Sequence, residues 1–107
     1  MIISGGFNIF PSEVEQVLYS HNAVYEACVI GVPDDLWGEA VKAIVVLKKD
    51  HQVGENELIQ YCGERLAGFK KPRSIDFADS LPKNPNGKVA RRIIRERFWH
   101  SEKRRVH

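Results

Sequence analysis

The segment Val41-Lys42-Ala43-Ile44-Val45-Val46-Leu47 is rich in β-branched residues and predicts a core strand. Two other segments are predicted as core strands, the apolar run 27–30 and the stretch 74–78. The first of these is expected to end at Gly31-Val32-Pro33-Asp34-Asp35, because glycine, proline and aspartate together interrupt regular structure. The chain is therefore predicted to contain a sheet.

The flanking segments predict a hairpin and about three helices. Met1-Ile2-Ile3 and Phe7-Asn8-Ile9-Phe10 are predicted strands joined through Ser4-Gly5-Gly6. Helices are predicted from Pro11 to about residue 21, over 55–66 with Gly68 as its C-cap, and over 89–98. In the last helix, Ala90, Ile93, Ile94 and Phe98 are expected to face inward. We predict an α+β fold, a small mixed sheet with an N-terminal β-hairpin packed by these helices.

Length and composition indicate one ordinary globular domain. The chain has 107 residues, of which 43% are hydrophobic and 28% charged. It shows no apolar run long enough to span a bilayer and no signal-peptide pattern, so we expect a cytoplasmic protein. Cys28 and Cys62 lie in apolar patterns without CxxC spacing, which predicts buried free thiols in a reducing compartment.

The charge is distributed unevenly along the chain. Residues 1–68 carry four Lys/Arg and ten Asp/Glu, whereas residues 69–107 carry twelve and four, so that −6 and +8 give the net +2. The C-terminal third is thus a candidate surface for an anion. The alternatives are a solvated helical face with a basic tail, or a small nucleic-acid-binding module. A non-catalytic oligomerisation domain is a further alternative.

The loop Leu81-Pro82-Lys83-Asn84-Pro85-Asn86-Gly87-Lys88 is the strongest candidate for a functional site. Its prolines fix φ, and Asn86-Gly87 is a strong turn dipeptide. Such a loop can hold one ammonium group, that of Lys88, in front of an anionic ligand. Lys88 is expected to open the last helix, whose N-terminus adds partial positive charge. The alternative is a plain strand-to-helix connection with a surface lysine.

Three ordered motifs resemble the adenylate-forming enzymes, which include acyl-CoA synthetases, peptide-synthetase adenylation domains and firefly luciferase. Residues 1–15, MIISGGFNIFPSEVE, resemble the glycine-rich motif that follows the hinge. Residues 31–39, GVPDDLWGE, resemble the middle of the C-terminal domain, and residues 81–88 resemble the catalytic-lysine motif. Residues 95–99, RERFW, are similar to the tail of bacterial fatty-acyl-CoA ligases.

The resemblance implies that residues 1–107 are the mobile C-terminal lid domain of an AMP-forming acid–CoA ligase, without its N-terminal domain. Such enzymes first join a carboxylate to the α-phosphate of ATP, giving acyl-AMP and pyrophosphate. CoA then attacks the acyl-adenylate and AMP leaves. The implied partners are the N-terminal adenylation domain, ATP or acyl-AMP, and CoA, with no nucleic acid. Mg²⁺ is expected on the N-terminal domain, and contact of the full enzyme with a membrane is conceivable through fatty substrates.

The same resemblance assigns roles to individual residues. Lys88 matches the lysine that reaches the carboxylate and the nucleotide during adenylation. Gly5 and Gly6 match a loop along the pantetheine tunnel, where a side chain would block close approach, and Trp37 borders the same channel. Three positions match residues that hold the CoA nucleotide in the family. Phe69 would stack under the adenine, while Lys71 and Arg73 would bind the phosphates. Lys70 is a further candidate for the same patch. No metal site is expected on this chain.

Two features limit what the resemblance implies. Phe7 stands where many members of the family carry glutamate, and its role is left open. The acyl pocket lies on the N-terminal domain, so the chain does not report which acid is used. A fatty acid is expected only from the resemblance of residues 95–99.

Overall fold

The computed structural model describes residues 1–106, with the side chains of residues 1–99. The fold contains five strands and three α-helices, which confirms the predicted α+β class. The strands are β1 (Ile2–Ser4), β2 (Phe7–Ile9), β3 (Val24–Asp34), β4 (Gly38–Leu47) and β5 (Ser74–Phe77). The helices are α1 (Pro11–Tyr19), α2 (Glu55–Gly63) and α3 (Arg91–Val106), and a short 3-10 helix covers Gly68–Lys70.

The sheet is mixed, as predicted, and β4 is its central strand. β4 pairs along its whole length with β3 in an antiparallel ladder that runs from Val24↔Leu47 to Asp34↔Gly38. On its other side β4 pairs antiparallel with β1 near Gly38 and parallel with β5 over Lys42–Val45. The hairpin of β1 and β2 extends the sheet at the Gly38 end.

Two apolar cores lie on opposite faces of this sheet. Successive residues of a strand point to opposite faces, so Ala43 and Val45 of β4 join one core while Ile44 and Val46 join the other. The first core also contains residues from α1 and α2, and the second contains Ile94 of α3. Three layers result, with α3 alone on its face.

The glycine–proline cluster does not interrupt β3, and this prediction is wrong. Gly31, Val32, Pro33 and Asp34 all pair with β4, so only residues 35–37 form the turn. The physical reason is that β3 is an edge strand. Pro33 can occupy an edge because its missing N–H costs no hydrogen bond there.

Three predictions about the helices also need correction. α2 ends at Gly63 and its C-cap is Glu64, so Gly68 is not the cap but begins the 3-10 helix. α3 begins at Arg91, so Lys88 does not open it, and the helix dipole acts mainly within the first turn. Ile93 is 38% exposed instead of buried.

Glutamates from the helices cover backbone N–H groups of strands β3 and β5. Glu15 accepts a hydrogen bond from the N–H of Val29 in β3 at 2.8 Å, and Glu55 accepts one from Ile75 in β5 at 2.7 Å. Unpaired N–H groups of edge strands invite pairing with other chains. These two carboxylates accept hydrogen bonds from such N–H groups and thereby join the helices to the sheet.

Both cysteines are free and buried, as predicted. Burial raises the pKa of the Cys28 thiol, and likewise that of Cys62, from 9.0 to about 11. At pH 8 the folded chain should therefore hold about a hundredfold less thiolate than an exposed cysteine would, and iodoacetamide should label it slowly. Mass spectrometry before and after addition of urea measures this. Complete labelling of the folded chain as fast as in urea would contradict it.

Candidate functional site

An open cleft of about 520 Å³ lies at the Gly38 end of the sheet. It is bordered by the β1–β2 turn, the β3–β4 turn, the 3-10 helix and the start of β5. Five of the predicted site residues line it, namely Gly5, Trp37, Phe69, Lys71 and Arg73. Gly6 and Lys88 are not among its lining residues.

The backbone conformation of the β1–β2 turn accounts for its two glycines. Gly5 and Gly6 have φ angles of +57° and +87°, which a two-residue hairpin turn of this kind requires. A Cβ on Gly5 would lie 2.7 Å from Cε3 of Trp37, so the indole occupies the space that a side chain would need. The position of the Trp37 ring is therefore a second reason for glycine at position 5, besides the expected close approach of a ligand.

Trp37 is held at the cleft by its own turn. One carboxylate oxygen of Asp34 accepts hydrogen bonds from the N–H groups of Leu36 and Trp37, at 2.9 and 2.8 Å. The carbonyl of Trp37 accepts a bond from the N–H of Gly5 at 2.9 Å. The guanidinium of Arg73 lies 5.1 Å from the centre of the indole ring, in cation–π contact. The turn thus joins an aromatic face to a cation.

Phe7 forms a stacked pair with Phe69 at the same cleft. The ring centres are 4.4 Å apart and the planes differ by 23°. Phe7 is 54% exposed and Phe69 43%, so the pair forms an apolar platform open to solvent. This contact places Phe7 beside Phe69 and covers one face of the Phe69 ring.

The basic residues that follow Phe69 separate into two groups. Lys70 pairs with Glu13 of α1 at 2.8 Å and does not line the cleft, although its ammonium nitrogen lies 5.7 Å from the centre of the Phe69 ring. Lys71 and Arg73 do line it, and within residues 1–99 neither makes an ion pair with a carboxylate. Their charge is available to an anion.

Lys88 lies at the exposed end of a closed turn. The N–H of Asn84 donates to the Lys88 carbonyl at 2.7 Å, and the N–H of Gly87 donates to the Asn84 carbonyl at 2.9 Å. Asn86 accepts a further bond from the N–H of Lys88. These bonds fix the backbone, while the Lys88 amine makes no ion pair within the part of the chain whose side chains are described. The amine is therefore exposed and unpaired on a well-bonded loop.

The cleft and the lysine loop are near opposite ends of the β3–β4 hairpin. Lys83, at the base of the loop, pairs with Glu26 near the start of β3. The cleft adjoins the other end of that strand, between Gly31 and Asp34. At about 3.3 Å per residue, Glu26 lies roughly 15–25 Å along β3 from Gly31 and Asp34.

Two arginines of the basic C-terminal third have partners on the domain. Arg91 is joined to Glu15 at 2.7 Å, and Arg95 lies over the ring of Trp99 at 4.4 Å. Among the described residues, no group of three or more His, Cys, Asp or Glu side chains could hold a metal ion. Within the same residues, no helix has both the length and the apolar character needed to cross a membrane.

The sequence is similar to a known family and to several enzymes. Residues 13–88 match the family model described as AMP-binding enzyme C-terminal domain. The long-chain-fatty-acid–CoA ligase FadD13 of Mycobacterium tuberculosis is 45% identical over 98 residues, which are 92% of this chain and 19% of that protein. A fatty acid–acyl-carrier-protein ligase, ScoC of Streptomyces coeruleorubidus, is 44% identical over 98% of this chain and 20% of its own length.

A solved structure has the same fold. The fatty acyl CoA synthetase of Mycobacterium tuberculosis superimposes with a TM-score of 0.86 at 44% identity, over 94% of this chain and 20% of that one. The chain thus spans about a fifth of the length of the relatives that it matches.

Proposed function

Because the chain belongs to the AMP-binding enzyme C-terminal domain family, we propose that it is the mobile lid domain of an AMP-forming acyl-CoA synthetase. It would supply Lys88 to adenylation and, after rotation, the cleft to thioester formation. ATP, the acid and Mg²⁺ would bind mainly to an N-terminal domain. The observation that carries this proposal is the exposed, unpaired amine of Lys88 on a loop within the family match.

Lys88 would act in the first step by electrostatics. The carboxylate oxygen of the acid attacks the α-phosphorus of ATP, and the bond to the pyrophosphate oxygen breaks. Both reactants are anions, and negative charge grows on the α-phosphoryl oxygens. An ammonium group held by a rigid loop reduces this repulsion and orients the two groups.

The cleft would serve the second step. The CoA thiolate attacks the acyl carbonyl, the bond to the phosphate oxygen breaks and AMP leaves. Phe69 and its partner Phe7 would offer a face for the adenine ring, while Lys71 and Arg73 would bind phosphates. Trp37 and Gly5 would border the pantetheine arm. Gly6, which has φ +87°, would contribute through the shape of the turn.

The location of the two sites near opposite ends of β3 supports a rotation between the steps. Lys88 and the cleft would then not address the same reacting atoms in one orientation. A swing of the whole domain would present each site in turn. Domain motions of this kind are common in enzymes that catalyse successive steps.

The substrates are also part of the proposal. Similarity to FadD13 supports a fatty acid as the acid. The acceptor proposed is CoA, although similarity to ScoC makes a carrier protein the second candidate. The free buried cysteines agree with the proposed cytoplasmic location, where thiols stay reduced.

The alternatives are less well supported. The nucleic-acid-binding interpretation has no support from the family or from the relatives, and Arg91 of the basic third is paired with Glu15. An oligomerisation role would be detected by sedimentation of the chain.

Binding of CoA to the 107-residue chain tests the cleft. Titration with CoA to millimolar concentration, followed by amide NMR, should shift the signals of Phe69, Lys71 and Arg73. Arg73→Gln should weaken the effect, because it removes a phosphate contact, whereas the matched Arg65→Gln, outside the cleft, should not. Adenosine alone should shift Phe69 more than Lys71. If millimolar CoA left all three signals unmoved, the preformed CoA site would be ruled out.

A further inference from the structure

We propose that Lys83 is a positioning residue, whose ion pair with Glu26 fixes the base of the loop that presents Lys88. This inference rests on the proposed function of Lys88. It assigns different tasks to the two lysines of one loop, since Lys88 reaches the reactants while Lys83 holds the loop on the domain.

The loop is internally closed but has few attachments to the rest of the domain. Lys83 and Val89 pair as an isolated antiparallel bridge, and the N–H of Ala90 donates to the Pro82 carbonyl at 2.8 Å. These bonds, like those around Lys88, join one part of the loop to another. They shape the turn without determining where it points relative to the sheet.

Two buried ends and one ion pair provide the attachment. Leu81 is 5% exposed and Ala90 2%, so the loop enters and leaves through the core beside α3. Between them, the Lys83 amine contacts both carboxylate oxygens of Glu26, at 3.0 and 2.8 Å. It also donates to the Leu81 carbonyl at 3.3 Å. Because Glu26 belongs to β3, this contact joins the base of the loop to the sheet.

The surroundings make Glu26 a well-placed anchor. Its side chain is 19% exposed, and that of Lys83 is 37% exposed. A partly exposed pair of this kind adds little to folding stability. A displacement of about 1 Å at a reacting group, however, can reduce a rate by as much as a hundredfold. Loss of the pair should therefore affect the rate of adenylation far more than the stability.

Rates of the two half-reactions, measured in the full enzyme that carries this domain, distinguish a positioning role of Lys83 from an ion pair without function. Lys83→Met should slow acyl-adenylate formation by roughly tenfold, less than loss of Lys88 itself. Glu26→Gln should act in the same direction, and Lys83→Arg, which can still pair with Glu26, should stay near the wild-type rate. Thioester formation from supplied acyl-adenylate should be unchanged in all three. A matched control is Glu13→Gln, which weakens the pair with Lys70 away from this loop.

A second measurement on the 107-residue chain does not depend on activity. In Lys83→Met, ¹⁵N relaxation should show lower order at the amides of Asn86, Gly87 and Lys88, while Glu13→Gln leaves them unchanged. Wild-type adenylation by Lys83→Met would overturn the inference, and so would unchanged order at these three amides. An equal fall in both half-reactions would overturn it as well.

The failure of this inference can be told apart from that of the proposed function. If Lys88→Ala slows adenylation while Lys83→Met does not, only the positioning role of Lys83 is wrong. If Lys88→Ala itself adenylates at the wild-type rate, the proposed function is wrong.

Discussion

In the full enzyme that carries this domain, Lys88→Ala is expected to slow acyl-adenylate formation by roughly a hundred- to thousandfold. This is the usual effect of removing one electrostatic contact to charge that develops in a transition state, on the order of 2.7–4 kcal/mol. Release of pyrophosphate, or exchange of labelled pyrophosphate into ATP, measures the step. The loss should be in rate, because the exposed Lys88 amine makes no ion pair with the side chains of residues 1–99, so that its removal should leave the fold stable.

Lys49→Ala is a suitable control for this prediction. Lys49 is also exposed and lies in the turn after β4, and it belongs neither to the loop 81–88 nor to the residues that line the cleft. It should adenylate at the wild-type rate. Thermal unfolding of both variants should match the wild type. Wild-type adenylation by Lys88→Ala would show that this amine does not serve the first step.

Gly5→Ala is expected to destabilise the chain by about 2–5 kcal/mol. An alanine at φ +57° is strained, which costs roughly 1–2 kcal/mol. Its Cβ would also lie 2.7 Å from the Trp37 ring, and overpacking of this kind costs typically about 1–3 kcal/mol. Urea unfolding of the 107-residue chain measures the free-energy change. Because Trp37 must move, CoA binding to the cleft should weaken as well.

Gly6→Ala is the matched variant within the same turn. Gly6 also has a positive φ, +87°, but a Cβ there would meet no atom within 4 Å. Only the backbone strain remains, so we expect a loss of about 1–2 kcal/mol. Equal destabilisation by the two substitutions would mean that the contact between Gly5 and Trp37 has no energetic weight.

The elements with strong local patterns were predicted well. The β-branched run of β4 and the proline at the start of α1 led to the right elements, and the inward positions Ala90, Ile94 and Phe98 are buried or half-buried. Such patterns indicate which face of a helix or strand is buried, because the choice of that face depends mostly on residues that are close in sequence. The order of the elements predicted a mixed sheet, but it did not specify that β4 and β5 form the parallel pair.

The errors arose where a distant partner determines the local structure. Pro33 was interpreted as a break, yet it is tolerated because β3 lies at the edge of the sheet. Ile93 is apolar and has helical spacing, but α3 packs through the neighbouring face that contains Ile94. Neither the edge position nor the orientation of a helix can be read from a few consecutive residues.

The candidate site also combines residues that local motifs indicate with residues that only distant contacts bring together. Five of its residues were named from the sequence and line one cleft, whereas Lys70 was included because it follows Phe69 in the chain. It pairs with Glu13, 57 residues away, and is not among the residues that line the cleft. The stack of Phe7 on Phe69 and the pair of Lys83 with Glu26 also join distant segments, so no local motif could indicate them. A glutamate beside the apolar run of β3 was the only signal for Glu26.

Thioester formation from supplied acyl-adenylate by Lys88→Ala tests the central claim most directly. The claim is that one domain carries two separate sites, each serving one half-reaction. The account predicts that this variant, when given acyl-adenylate and CoA, forms the thioester at the wild-type rate despite its loss of adenylation. A fall in this second step as large as that in the first would contradict the account.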